Sequence, residues 1–153
     1  MKSLTALMAV LALLLLRSAP AWSHCQMPCG IYDDHMRIHM IEEYITTIEK
    51  GMNQIVALQA ATEKDYNQLV RWINTKEEHA SQLQELVSDY WMTQRIKPVA
   101  ATDAKYKKYQ SELEMLHKML TEAMKCRQTT DLEHVKNLRS LLADFEKSYF
   151  EGM

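Results

Sequence analysis

From Asp33 to the end of the chain, apolar side chains recur at steps of three and four residues, and glycine and proline nearly vanish between them. That period places the apolar positions on one stripe of a helix, so the pattern predicts amphipathic helices rather than strands. Four stripes emerge. The first carries Met36, Met40, Ile41, Tyr44, Ile48, Met52 and Ile55, with Asp33 or Asp34 placed to cap it. The second reads Leu69, Ile73, Ala80, Leu83, Val87, Tyr90 and Trp91, opened by Thr62 and Asp65 in the manner of a capping box. After a break around Pro98, Thr102 or Asp103 caps a third stripe of Tyr106, Tyr109, Leu113, Leu116, Leu120 and Ala123. Thr130 or Asp131 starts the fourth, with Leu132, Val135, Leu138, Leu142, Phe145 and Tyr149. Helices of this length on connections this short pack as antiparallel neighbours, which predicts an all-α, up-down-up-down four-helix bundle over residues 33–153. Gly51 inside the first helix costs about 1 kcal/mol relative to alanine, so it marks either a close packing contact or a weak point.

The pattern differs before residue 33. Lys2, the apolar run 4–16 and the stretch Arg17-Ser18-Ala19-Pro20-Ala21-Trp22-Ser23 have the three-part layout of a secretory signal. The run is shorter than the roughly 20 apolar residues a spanning helix needs, and nothing later is apolar enough either, so no membrane span is expected. Cleavage needs small residues one and three positions before the cut. Ala21-Trp22-Ser23 meets that before His24, and Ala19-Pro20-Ala21 meets it before Trp22. The first site makes 1–23 a cleaved leader, 24–32 a separate segment and 33–153 the bundle. The product is exported, to a periplasm, the cell exterior or a plastid lumen. The whole chain has a formal net charge of −2, and losing Lys2 and Arg17 leaves 16 basic against 20 acidic side chains. This mild negative balance, with no clustered basic face, argues against nucleic acid as a partner.

The segment itself reads His24-Cys25-Gln26-Met27-Pro28-Cys29-Gly30-Ile31-Tyr32 and holds two of the three cysteines. An odd count in an exported chain leaves at least one cysteine outside any intramolecular disulfide. Cys126, in the middle of a helical pattern, fits a small buried apolar side chain. If His24 is the first residue, its α-amine and the amide nitrogen of Cys25 close one chelate ring on a metal, and that amide with the Cys25 sulfur closes another. Cys29 adds a second thiolate after a three-residue loop, and the His24 imidazole can reach an axial position. Planar coordination by nitrogen and thiolate suits Ni(II) or Cu(II), whereas zinc prefers tetrahedral sites. Pro28 restricts the loop, and Gly30 permits positive φ at its turn.

His-Cys-x-x-Pro-Cys-Gly-x-Tyr at a mature N-terminus resembles the nickel hook of nickel-containing superoxide dismutases. The resemblance implies a homohexamer of four-helix bundles that converts superoxide to dioxygen and hydrogen peroxide through Ni(III)/Ni(II) cycling, with one nickel ion per subunit. It implies His24, Cys25 and Cys29 as metal ligands and Tyr32 as the tyrosine that guards the open axial face and orders water there. It makes the Met27–Pro28 bond a candidate for the cis form. Ser88-Asp89-Tyr90 matches the Ser-Asp-Tyr run that brings a second tyrosine, here Tyr90, to the site. This chain departs from the family pattern in two places. Gln26 stands where an acidic residue is common. The family's glutamate that orients the axial imidazole, and the arginine behind it, have His39 (after Arg37-Ile38) and Thr75 or Lys76 as their nearest equivalents here. An anionic substrate also needs local positive potential, for which Arg37, Lys76, Arg95 and Lys97 are candidates.

Other readings compete. Cys25 and Cys29 could form a disulfide that staples a turn, or a redox-active thiol pair, although the two-residue spacing and the strands of a thioredoxin-like module are absent. The same chelate could serve an exported nickel or copper carrier without turnover. Cleavage before Trp22 would favour that reading, because it leaves a free amine with histidine third. His35 and His39, four residues apart, share a helix face and could grip zinc or copper. Glu114 with His117, and Asp131 with His134, approximate half of a di-iron bundle site. The methionines are expected mainly to fill core, and Trp72, Trp91 and the tyrosines of the third and fourth helices to make core or subunit contacts.

Overall fold

The computed structural model describes Gln26 and residues 28–151. Residues 1–23, where a leader is expected, lie outside the described residues with His24, Cys25 and Met27, as does the bond between Met27 and Pro28. Four helices follow in order: α1 (Asp34–Ala60), α2 (Tyr66–Glu85), α3 (Tyr106–Gln128) and α4 (Glu133–Phe150). Between α2 and the connection to α3 the same rod continues as a π-helical segment, Leu86–Arg95. Each helix packs on the next in sequence, and α1 closes on α4, which is the neighbour pattern of an up-down-up-down bundle. No strand occurs among the described residues.

The core is the apolar stripe of each helix turned inward. Ile38, Ile41, Ile45, Ile48 and Met52 of α1 meet Ala80 and Leu83 of α2, Val87, Tyr90 and Trp91 of the π segment, Leu116, Met119, Ala123 and Cys126 of α3, and Val135, Leu138, Leu142 and Phe145 of α4. The stripe of α1 is rotated from the expected one. Ile38 and Ile45 are buried, Met40 and Tyr44 are half-buried, and Met36 is exposed. A flexible thioether at the first turn of a helix yields the inward position to β-branched isoleucine two residues further on. The first half of α2 buries little: Tyr66, Val70 and Ile73 are exposed, and its inward position there is taken by Lys76.

The helix starts differ in detail from the sequence expectation. Asp33 caps α1, its Oδ1 accepting the Met36 amide at 2.9 Å. Asp65 caps α2 by accepting the Gln68 amide, so Thr62 lies in the connection and no capping box forms. Asp103 and Asp131 each accept an amide two residues on, and their helices start only at Tyr106 and Glu133. In both places the aspartate closes a local turn that delays the helix. Gly51 marks a close contact, because a Cβ there would lie 3.2 Å from the Lys76 Cβ and 3.5 Å from the Trp72 carbonyl oxygen.

Candidate functional site

The hook region is described as a turn of its own. Cys29 N–H donates to the Gln26 carbonyl, and Ile31 N–H donates to the Pro28 carbonyl, both at 3.1 Å. Cys29 has φ 46° and Gly30 has φ 93°. Two successive residues on the positive side of φ reverse the chain within one step, a conformation glycine adopts without cost and cysteine only locally. The thiol of Cys29 therefore sits on a tight loop rather than on a helix. A thiolate there would be a soft donor to a transition metal.

The bundle presents a polar cluster centred on Asp34, the first residue of α1. Four donors converge on this carboxylate. Arg95 binds it in bidentate fashion, Nε to Oδ1 at 2.8 Å and Nη2 to Oδ2 at 2.6 Å. The Tyr90 hydroxyl donates to Oδ1 at 2.6 Å, and the Tyr149 hydroxyl donates to Oδ2 at 2.9 Å. Above this base lie Tyr32 and Tyr90, edge to face at 5.8 Å. The Arg95 guanidinium stacks 4.3 Å from the Tyr32 ring centre and that of Arg37 lies 5.0 Å from Tyr90, both favourable cation–π placements. Tyr90, Trp91, Tyr149 and Phe145 continue as an aromatic array into the core.

The π winding makes this cluster possible. Tyr90 and Arg95 are five residues apart, which on an α-helix would point them about 140° from each other. With bonds running from i to i+5 they fall on one face. The Ile96 amide donates to the Trp91 carbonyl at 2.8 Å, and the side chains of Thr93 and Gln94 donate to the carbonyls of Ser88 and Asp89, again five residues back.

Burial alone would raise the Asp34 carboxyl, but the hydrogen bonds from Arg95, Tyr90 and Tyr149 outweigh it and hold the group below the usual carboxylate range. Burial and the Asp34 charge push the Tyr149 phenol up to about 12, and the same two causes push Tyr90 up further. The signs give a pH profile. A depressed carboxyl stabilises the fold above its unfolded value of 3.8, and that contribution is lost as pH falls through the lower folded value. Raised phenols contribute stability that is complete below their unfolded value of 10.0 and is lost as pH rises through the folded values. Thermal melts should therefore show a limb of falling stability at acid pH and another above pH 10. In Tyr149→Phe the alkaline limb should be shallower.

The sequence-derived residues divide between this cluster and other places. Tyr32 and Tyr90 are brought together, and Arg37 and Arg95 flank them. Lys76 is not in the cluster. It lies fourteen residues before Tyr90 on the same rod, about 20 Å at 1.5 Å per residue. Its buried Nζ donates to the carbonyls of Cys126 and Arg127 at the end of α3 and pairs with Glu77. His39 is exposed and pairs with Glu42 at 3.0 Å, which raises its pKa. His35 stacks on Phe150, and His134 bonds to Glu122. Among the described residues no three His, Cys, Asp or Glu side chains converge as a metal site. Burial, then the nearby Glu122, pushes the Cys126 thiol up to about 12, which leaves it an inert core group. A groove of about 460 Å³ opens beside Arg95 and Tyr149, with Lys97, Lys105 and Lys108 on its walls. The sequence pattern did not mark Asp34 and Tyr149 as site residues. Asp34 had entered only as a cap, and Tyr149 as part of a stripe.

Fold and cluster together define an all-α bundle with an N-terminal cysteine loop and a tyrosine pair fixed by a partly buried ion pair. The family model described as nickel-containing superoxide dismutase matches residues 18–152, which is most of the chain and includes both the cysteine loop and the cluster. The chain belongs to this family, and is thus a superoxide dismutase, an oxidoreductase with a nickel cofactor. No individual curated protein and no solved structure matched it. No described helix is long and apolar enough to cross a membrane.

Proposed function

We propose that the chain is exported, that residues 1–23 are removed, and that the freed terminus holds nickel through His24, Cys25 and Cys29. His24 would contribute its α-amine and imidazole, Cys25 its amide nitrogen and thiolate, and Cys29 its thiolate. Held by these residues, nickel would supply one-electron chemistry between Ni(III) and Ni(II), because two thiolates and an anionic amide would bring the higher state within reach. The observation that carries this reading is the family match across the segment that contains both cysteines.

The protein's own groups do the remaining work. Two superoxide ions and two protons give dioxygen and hydrogen peroxide. Tyr32 and Tyr90 order water, and that water delivers the protons. Arg37 and the lysines of the groove beside Arg95 supply the local positive potential that draws an anion to a chain of negative net charge. Assembly into a homohexamer fits the exposed apolar side chains Val56, Tyr66, Val70 and Ile73, which a single bundle leaves in water.

The test is superoxide decay followed with the purified exported protein, metal-free and then reconstituted with nickel, copper or zinc. Activity restored by nickel alone, at one ion per chain, is the expected result. Tight nickel binding without turnover would convert the assignment to a carrier.

A further inference from the structure

We infer that Asp34 is a positioning residue for the dismutase site: its single carboxylate locks Tyr90 and, through Arg95, Tyr32 into a fixed pair whose Tyr90 hydroxyl faces its open side only as an acceptor. This rests on the reading of Tyr32 and Tyr90 as the residues that line the reacting site.

Among the described residues, Arg95 is the charged partner of Asp34. Its side chain is 12% exposed, that of Arg95 is 23% exposed, and their two-point contact is of the charge-assisted type that fixes direction as well as distance. The Arg95 guanidinium is thereby held over the Tyr32 ring, and Tyr32 meets Tyr90 edge to face. A phenol has one proton to donate. For Tyr90 that proton goes to Asp34 Oδ1, so toward water or substrate the oxygen can only accept. The proton that completes peroxide therefore comes from water oriented by Tyr90, not from Tyr90 itself. The raised Tyr90 phenol agrees: burial first, and then the hydrogen bond to Asp34, holds the proton on it. Charge matters too. Asp34 cancels Arg95, while Arg37 has no ion-pair partner among the described residues, so a neutral residue at position 34 would make the wall more positive while loosening it.

A merely structural carboxylate and a positioning one predict different results for Asp34→Asn. The positioning role predicts that the nickel-loaded variant keeps its metal and helix content, loses about tenfold in kcat and shows no rise in KM, because anion attraction grows while orientation is lost. A second measurement does not depend on turnover. Tyrosine labelled with 13C at the ring carbon bearing oxygen reports phenol titration by NMR, with signals assigned through Tyr90→Phe and Tyr149→Phe. The Tyr90 signal should titrate above the ordinary tyrosine range in the parent protein and at a lower pH in Asp34→Asn. Val135→Ala, a buried core change remote in sequence from the cluster, controls for lost stability and should leave kcat unchanged. If Asp34→Asn leaves kcat and the Tyr90 titration as they were, or loses activity only as far as Val135→Ala does, the inference is overturned. Failure of the nickel-loaded parent to consume superoxide would appear before any variant is made, and would mark failure of the underlying functional reading instead.

Discussion

Cys29→Ser is expected to lose nickel and to lower dismutase activity by more than about 100-fold, beyond the 10–100-fold that loss of a group behind a ligand costs. The alcohol of serine does not ionise at neutral pH, and as a hard oxygen donor it cannot bring the higher nickel state within reach as a thiolate does. The substitution leaves the bundle intact, because Cys29 belongs to the turn of residues 26–31 and contributes nothing to the hydrophobic core. Cys126→Ser is the matched control. That thiol is fully buried and held protonated, so its loss should cost stability and leave nickel stoichiometry unchanged. Metal content and superoxide decay on the same samples decide the matter. Equal losses in both variants would show that the cysteines act through folding.

Trp91→Ala should be the most damaging single change to the bundle. The ring is fully buried and meets Tyr90, Phe145 and Tyr149 edge to face at 5.0–5.1 Å. Removing a buried tryptophan costs about 3–5 kcal/mol, against a total of about 5–15 kcal/mol for an ordinary domain. The expected fall in Tm is roughly 10–20 °C, from about 4 °C per kcal/mol for a domain of this size. Trp91→Phe separates volume from polarity. The indole Nε1 is buried with no hydrogen-bond partner among the described residues, and an unsatisfied buried donor costs about 1–3 kcal/mol. Phenylalanine gives up contact area but removes that donor, so its net loss should be under about 2 kcal/mol. Circular dichroism melts measure both. A phenylalanine variant as unstable as the alanine one would mean that the indole nitrogen has a partner.

Much of the bundle was legible because a 3.6-residue period leaves the same trace in sequence and in burial. Val135, Leu138, Leu142 and Phe145 are buried as their spacing predicts, and so are Ala80, Leu83, Val87, Tyr90 and Trp91. Period alone could not choose between Met36 and Ile38 at the entrance of α1, where side-chain shape decides. Nor could it see the π winding after Glu85. That winding changes which residues share a face, so the pairing of Tyr90 with Arg95 on one carboxylate has no signature at α-helical spacing. Asp34 was hidden for a related reason: beside Asp33 it looks like a spare cap, and its three partners lie 56, 61 and 115 residues away. The proposed hook rests on another kind of signal, since its residue types and spacing are those of a chelate whatever the fold. What long-range contacts decide, the linear pattern could not foretell.

The whole account turns on one amine. Intact mass analysis of the fully active protein, with nickel counted on the same sample, tests it most directly. The account predicts a chain beginning at His24, unmodified, with one nickel per subunit. An active chain that begins at Trp22, or one whose first nitrogen is acylated, would contradict it.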